Sequence, residues 1–134
     1  MKIDGGCHCG AIAYRAEVDP EKTTICHCTD CQQLTGTAFR VTVPVPEDRF
    51  EIIRGAPKIY IKIAESGAKR AQAFCADCGS HLYATSVGDG PKIYGLRTGT
   101  AHQREELVPR KQIWRDSALH WLPEFEGVEI VDTK

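Results

Sequence analysis

The sequence predicts a mainly β fold with one short helix, on three observations. Apolar residues recur at period two in several short stretches, the spacing of strands with one buried face. Glycine and proline interrupt the chain at intervals too short for long helices. Helical end signals are found in one stretch, directly after the middle of three cysteine clusters.

Taken in order, Gly5-Gly6 precedes Cys7-His8-Cys9 and Gly10 follows it, so the first cysteine pair sits on a tight, permissive turn. Ile12, Tyr14, Ala16 and Val18 alternate with Ala13, Arg15 and Glu17 and read as a strand. Asp19-Pro20 turns the chain, and β-branched Thr23-Thr24-Ile25 leads into Cys26. Thr29 with Gln32 fits a capping box and Gly36 suits a helix C-terminus, which predicts about two helical turns from Asp30 to Thr35. Cys31 then falls in the first turn, where free N–H groups and the helix dipole favour a thiolate. Phe39, Val41 and Val43 mark a strand that Pro44 and Pro46 should stop. Phe50 to Arg54 is a short strand ended by Gly55, and Ile59, Ile61 and Ile63 alternate with Lys58, Tyr60 and Lys62. After a Ser66-Gly67 turn, Arg70 to Phe74 runs into Cys75-Ala76-Asp77-Cys78, closed by Gly79. Leu82 to Thr85 and Ile93 to Arg97 are strands around Asp89-Gly90. Gln103 to Pro109 reads as loop, Ile113-Trp114 as a short strand, and Val128 to Val131 closes the chain.

A chain of 134 residues suits one domain, residues 1–134. Its 17 Lys and Arg nearly balance 18 Asp and Glu, so no global field draws nucleic acid or an anionic membrane. No apolar run reaches the length of a membrane span, and Met1-Lys2-Ile3-Asp4-Gly5 is no signal peptide, so a soluble, cytoplasmic protein is expected. Thiols stay reduced in that compartment, and seven is an odd count, so the clusters point to metal or catalysis rather than disulfides.

The seven cysteines divide as four plus three. Cys7 and Cys9, with Cys75 and Cys78, are two glycine-bounded hooks that together supply the four thiolates of a closed zinc site. Each hook abuts a strand, and antiparallel pairing is expected to bring them into register. Cys26, Cys28 and Cys31 supply three thiolates, the pattern of a catalytic zinc with one open position for water or a substrate thiol. Two alternatives stay open for that cluster: a second closed site completed by His27, or a metal-free redox triad. His8 and His27 each lie between two ligands and should point away from a shared metal. His81, His102 and His120 read as surface or core residues. Arg40, Arg54, Arg70 and Arg97 could bind substrate carboxylates, although a solvated sheet face is the commoner use of such charges. Trp114 and Trp121 read as core rather than as ligand-stacking groups. There is no nucleophile elbow and no phosphate-binding glycine loop.

With these residues in place the chain resembles the glutathione-dependent formaldehyde-activating enzyme family, also represented in centromere protein V. The resemblance runs through Gly6-Cys7-His8-Cys9-Gly10, Cys26-His27-Cys28, Cys31, Gly36 and Phe39. It continues through Phe74-Cys75, Cys78-Gly79-Ser80, Leu82, Gly99-Thr100, Pro109, Ser117 and Trp121. It implies antiparallel sheets in a compact, tent-like arrangement around zinc, with two zinc ions per chain. Cys7, Cys9, Cys75 and Cys78 would hold structural zinc. Cys26, Cys28 and Cys31 would hold the second, where the thiol of glutathione coordinates and adds to formaldehyde to give S-hydroxymethylglutathione. The implied class is a carbon–sulfur lyase acting on a small-molecule thiol and aldehyde. Two positions depart from the family pattern: Ala101-His102 stands for Leu-Asp after Gly99-Thr100, and Gln112 stands for a histidine. The competing readings are a zinc-stabilised binding module, for which the chain lacks the basic tail a nucleic-acid partner would want, and a thiol redox or electrophile sensor.

Overall fold

The structure, a computed structural model, describes residues 1–132. A small sheet has the order β1-β2-β5, from β1 (Lys2–Gly6), β2 (Ala13–Glu17) and β5 (Phe50–Arg54). The large sheet is assembled from β3 (Thr24–Cys26), β4 (Arg40–Pro46), β6 (Lys58–Ile63) and β7 (Lys69–Phe74). To these it adds β8 (His81–Ser86), β9 (Ile93–Arg97), β10 (Lys111–Ile113) and β11 (Glu129–Ile130). Its order is β11-β10-β3-β4-β9-β8-β7-β6. Pairing is antiparallel except where β10 runs parallel to β3 and β11. The one α-helix among the described residues, α1 (Thr29–Thr35), follows β3 directly. The mainly β architecture with one helix after the middle cysteines is the one the sequence predicts.

Ile3, Tyr14 and Ala16 of the small sheet meet Val43, Val45, Leu82 and Leu96 of the large one in a single buried cluster. Each such aliphatic side chain, fully buried, stabilises the fold by about 1.5–3 kcal/mol. Strand β1 has no strong sequence signature because Gly5-Gly6 ends it. A Cβ on Gly5 would fall on the Thr100 carbonyl and close to the Tyr14 hydroxyl, and Gly5 bridges to Ala101, so this glycine serves close backbone approach.

Three expectations are corrected. Pro44 and Pro46 do not stop β4, which runs to Pro46. Strand β3 covers only Arg40 to Thr42, so beyond Thr42 one side of β4 is open and a missing proline N–H costs no ladder bond there. The N-cap of α1 is Cys28 rather than Thr29: its Sγ accepts the Cys31 N–H at 3.3 Å. Gln32, instead of closing a capping box, donates its amide to the carbonyls of His27 and Ser117 at 2.8 and 2.9 Å. Gly36, at φ 69°, ends the helix as expected. Trp114 and Trp121 are not core residues, being 40% and 63% exposed.

Candidate metal centre

The two hooks are built alike. Cys7 N–H bonds to Ile12 O at 3.0 Å and Gly10 N–H to Cys7 O at 3.2 Å. Cys75 N–H bonds to Ser80 O at 2.9 Å and Gly79 N–H to Cys75 O at 2.8 Å. Gly10 and Gly79 take φ of 84° and 79°, which only glycine adopts freely. The hooks close hairpins of different sheets, β1-β2 and β7-β8, so strand pairing does not bring them together. Packing of sheet on sheet does, with the His8 N–H reaching the Ser80 hydroxyl at 3.0 Å.

The sulfurs of Cys7, Cys9, Cys75 and Cys78 all lie within 4.8 Å of one another. Cys7–Cys9 and Cys9–Cys75 are 3.6 and 3.7 Å apart. Four sulfurs held about 2.3 Å from a tetrahedral zinc would lie about 3.8 Å apart, so this donor set fits zinc. The Ile12 N–H donates to Cys7 Sγ at 3.2 Å. Bonds from the Ser80 hydroxyl, and then from backbone, bring the Cys78 thiol down to about 5.

The sulfurs of Cys26, Cys28 and Cys31 also lie within 4.8 Å of one another, and no fourth Cys, His or carboxylate joins this group among the described residues. Cys26 ends β3, while Cys28 and Cys31 share the first turn of α1. Hydrogen bonds from Cys26, then from Cys31, hold the Cys28 thiol far below its ordinary value, with the Cys31 N–H and the Lys62 charge acting the same way against burial. The neighbouring thiols therefore favour a thiolate at Cys28; at Cys31 the bond from Cys26 acts the same way, but Cys28 and burial outweigh it and the thiol is raised. Cys28 is half-buried and forms part of the wall of a groove of about 760 Å³, with Asp30, Lys62, Trp114 and Ser117. Lys62 pairs with Asp30 at 2.8 Å. Trp114 is the one non-glycine residue at positive φ among the described residues, at 56°.

His27 turns away from the three sulfurs. Its ring is buried against Phe39 and Phe125, and Nε2 lies 2.9 Å from Gln112 Oε1. The Gln112 amide donates onward to Val128 O at 3.3 Å, which leaves Oε1 as acceptor and gives His27 Nε2 the proton. Exposed His8 and His120 lie outside both sulfur groups, and exposed His102 faces Asp4 at 3.2 Å.

Of the four arginines, Arg54 is exposed and donates to Gly10 O at 3.0 Å. Arg40 is not on a solvated face: it is 6% exposed. Arg97 and His81 are half-buried beside it. Burial, then the charges of Arg40 and Arg97, lower the His81 pKa. Gln72 and Gln112 are both buried; the sequence marks Gln112 only as standing for a family histidine and gives no signal for Gln72, because which way a mid-strand polar side chain faces depends on the strand's neighbours.

The sequence profile of the family described as glutathione-dependent formaldehyde-activating enzyme matches residues 2–117. The chain belongs to that family. Relatives within it include proteins of Penicillium rubens, 29% identical over 87 residues, and Podospora anserina, 32% identical over 81 residues, each provisionally named a glutathione-dependent formaldehyde-activating enzyme. The matches span 63% and 60% of this chain and 44% and 37% of those relatives, less than half their length. Among solved structures, a Rhodobacter sphaeroides protein aligns with TM-score 0.56 and 20% identity, over 72% of this chain and 85% of its own, a likeness of fold. No helix among the described residues is long and apolar enough to cross a membrane.

Proposed function

We propose that this member of the family is a zinc-dependent carbon–sulfur lyase, with residues 1–134 as one domain, acting on the adduct of a thiol such as glutathione with an aldehyde. Cys7, Cys9, Cys75 and Cys78 would hold structural zinc, and Cys26, Cys28 and Cys31 a second zinc with one position open. The observation that carries the reading is Cys28: it belongs to a three-sulfur group and also forms part of a groove wall large enough for a tripeptide thiol. Zinc there would lower the pKa of an incoming thiol. Lys62, paired with Asp30, sets an ammonium beside Cys28, where its charge favours the thiolate form of that ligand. The left-handed Trp114, which lines the groove, is held at a backbone cost of roughly 1–3 kcal/mol, the kind of strain found at ligand clamps.

The test is exchange NMR on glutathione and formaldehyde with metal-replete protein. Wild type should speed interconversion of free and S-hydroxymethylated glutathione, and Cys28→Ser should abolish that effect while retaining the other metal. An exchange rate equal to the uncatalysed one at high protein concentration would overturn the enzyme reading. A second reading, an electrophile or redox sensor, is supported by the partial exposure of Cys28. It requires mild peroxide to release metal from a chain that stays folded.

A further inference from the structure

We infer that Arg40 and Arg97, with Gln72, form an anion subsite next to the three-cysteine centre, which takes the carboxylate of a compact thiol acid whose sulfur reaches that centre. The inference rests on the proposed thiol-binding role of Cys26, Cys28 and Cys31 and names the substrate class for it.

Register places the group. Cys26 pairs with Arg40, Thr42 with Arg97, Gly95 with Ala84, and Ala84 with Gln72. Directly paired residues, and residues two apart on one strand, share a sheet face. Cys26, Arg40, Arg97 and Gln72 therefore stand on the same face of the large sheet, with the cysteine centre at one end. Gly95 and Ala84 keep the floor between them low. The Arg97 guanidinium lies over it, donating Nη1 to Gly95 O at 3.2 Å and Nη2 to Gln72 Oε1 at 2.9 Å.

Among the described residues the arginines have no carboxylate partner; the only opposite charges acting on Arg97 are the Cys31 and Cys26 sulfurs. Arg40 is 6% exposed, and its Nε and Nη2 have no hydrogen-bond partner; nor does Arg97 Nε. None of the ion pairs among the described residues includes Arg40, Arg97 or Arg70, which follows the same face two residues before Gln72. Buried N–H groups of this kind are normally satisfied, and burying like charges together is unfavourable. Burial, then the neighbouring Arg40, lower the Arg97 pKa to about 9. Three thiolates around a divalent ion carry one negative charge, against three positive charges from Arg40, Arg70 and Arg97. The difference matches a ligand with two negative charges, a thiolate and a carboxylate.

The space beside the cluster sets the size. A cavity of about 240 Å³ is lined by Leu34, Tyr60, Gln72, Ala73, Phe74 and His81. Leu34 stands three residues after Cys31, one turn along the same face of α1. The cavity thus lies between α1 and strands β6, β7 and β8, and meets the subsite at Gln72. It is smaller than the usual range of ligand sites, roughly 300–1,000 Å³, and its wall is mostly apolar, which suits a short-chain acid.

The test compares two isosteric probes, 3-mercaptopropionate and 3-mercapto-1-propanol, on cobalt-loaded protein, read by the sulfur-to-cobalt absorption. The acid should bind wild type about ten- to hundredfold more tightly than the alcohol, the gain expected of charge-assisted hydrogen bonds. Arg40→Met or Arg97→Met should remove that preference, the acid losing far more affinity than the alcohol. Equal binding of both thiols to wild type, or a preference that survives both substitutions, overturns the subsite. If neither thiol shifts the spectrum, the thiol-binding centre fails instead. The subsite is then read by saturation-transfer NMR of propionate: contact in wild type but not in Arg40→Met upholds it, and no contact in wild type removes it.

Discussion

Around Cys7, Cys9, Cys75 and Cys78 the groups that face sulfur are backbone N–H groups and the Ser80 hydroxyl. Around Cys26, Cys28 and Cys31 they are a helix end and the cations Lys62 and Arg40. Neutral dipoles on two rigid turns suit a closed set of four ligands that joins two sheets. Charges next to an incomplete set suit a centre that must accept another anion. The number of cysteines separates the clusters in the sequence, and their electrostatic surroundings give a physical reason for the different roles proposed for them.

The largest effect expected from this contrast comes from removing one sulfur on each side. Structural zinc supplies about 10–16 kcal/mol in small zinc domains, as much as the whole stability of a typical fold. Cys75→Ser should therefore lose the metal and the native fold, seen as loss of cooperative thermal unfolding. Cys28→Ser should lose one metal per chain, by elemental analysis, and keep a cooperative transition. Two variants that unfold alike would erase the contrast.

An effect of about 1–3 kcal/mol is expected at Gln112. Gln112→Leu leaves the His27 Nε2–H buried without its acceptor, and His27 sits between Cys26 and Cys28. Urea unfolding should register the loss, and the metal of the three-cysteine centre should leave faster to a chelator while that of the other cluster does not. Equal release from both clusters would mean that His27 supports the fold in general and not this centre.

What was legible in the sequence follows from local chemistry. Phe50–Arg54, ended by Gly55, and Ile93–Arg97, after the Asp89-Gly90 turn, yield β5 and β9 at their observed bounds, because turn punctuation acts within a few residues. The grouping of the sulfurs within each hook and within the middle cluster was legible for the same reason, close spacing on a turn, whereas the joining of the two hooks comes from sheet packing that no local spacing encodes. The burial of Arg40 was not, since its facing depends on β3 on one side and β9 on the other, pairings that span up to 55 residues of chain (Thr42 to Arg97). The Cys28 cap was hidden because a thiol is an unusual cap and Thr29 offered the conventional one. The continuation of β4 through two prolines depends on a missing neighbour, which no local pattern encodes.

Tyr14 sharpens the contrast on the side of the four-cysteine cluster, whose core it shares with Cys7 and Cys75. Burial pushes its phenol from the ordinary 10 up to about 12, although Thr100 Oγ1 at 2.7 Å acts the other way. A raised folded-state pKa means stability fully present below pH 10 and lost as pH rises towards 12. The loss over that window should be roughly 2–3 kcal/mol. Tyr14→Phe should be less stable at neutral pH by about 1 kcal/mol for the lost hydrogen bond, yet show a flatter alkaline limb. A variant with the same alkaline slope as wild type would mean that another group sets it.

The smallest effect lies at Asp4, on the strand that leads into Cys7. Its carboxylate accepts from Gln103 Nε2 at 2.8 Å and faces His102 Nδ1 at 3.2 Å, tying β1 to the loop where this chain carries Ala101-His102. The Gln103 bond first, then His102, hold its pKa below the ordinary carboxylate value. A depressed folded-state pKa gives stability that is present above pH 3.8 and disappears as pH falls through the lowered value. The group is fully exposed, so solvent screens most of the gain. Melting curves of wild type and Asp4→Asn should differ slightly at pH 7 and converge in acid, with metal content unchanged in both clusters. A variant that lost metal from the four-cysteine cluster would show that this tether, and not only the glycine turns, holds the first hook in place.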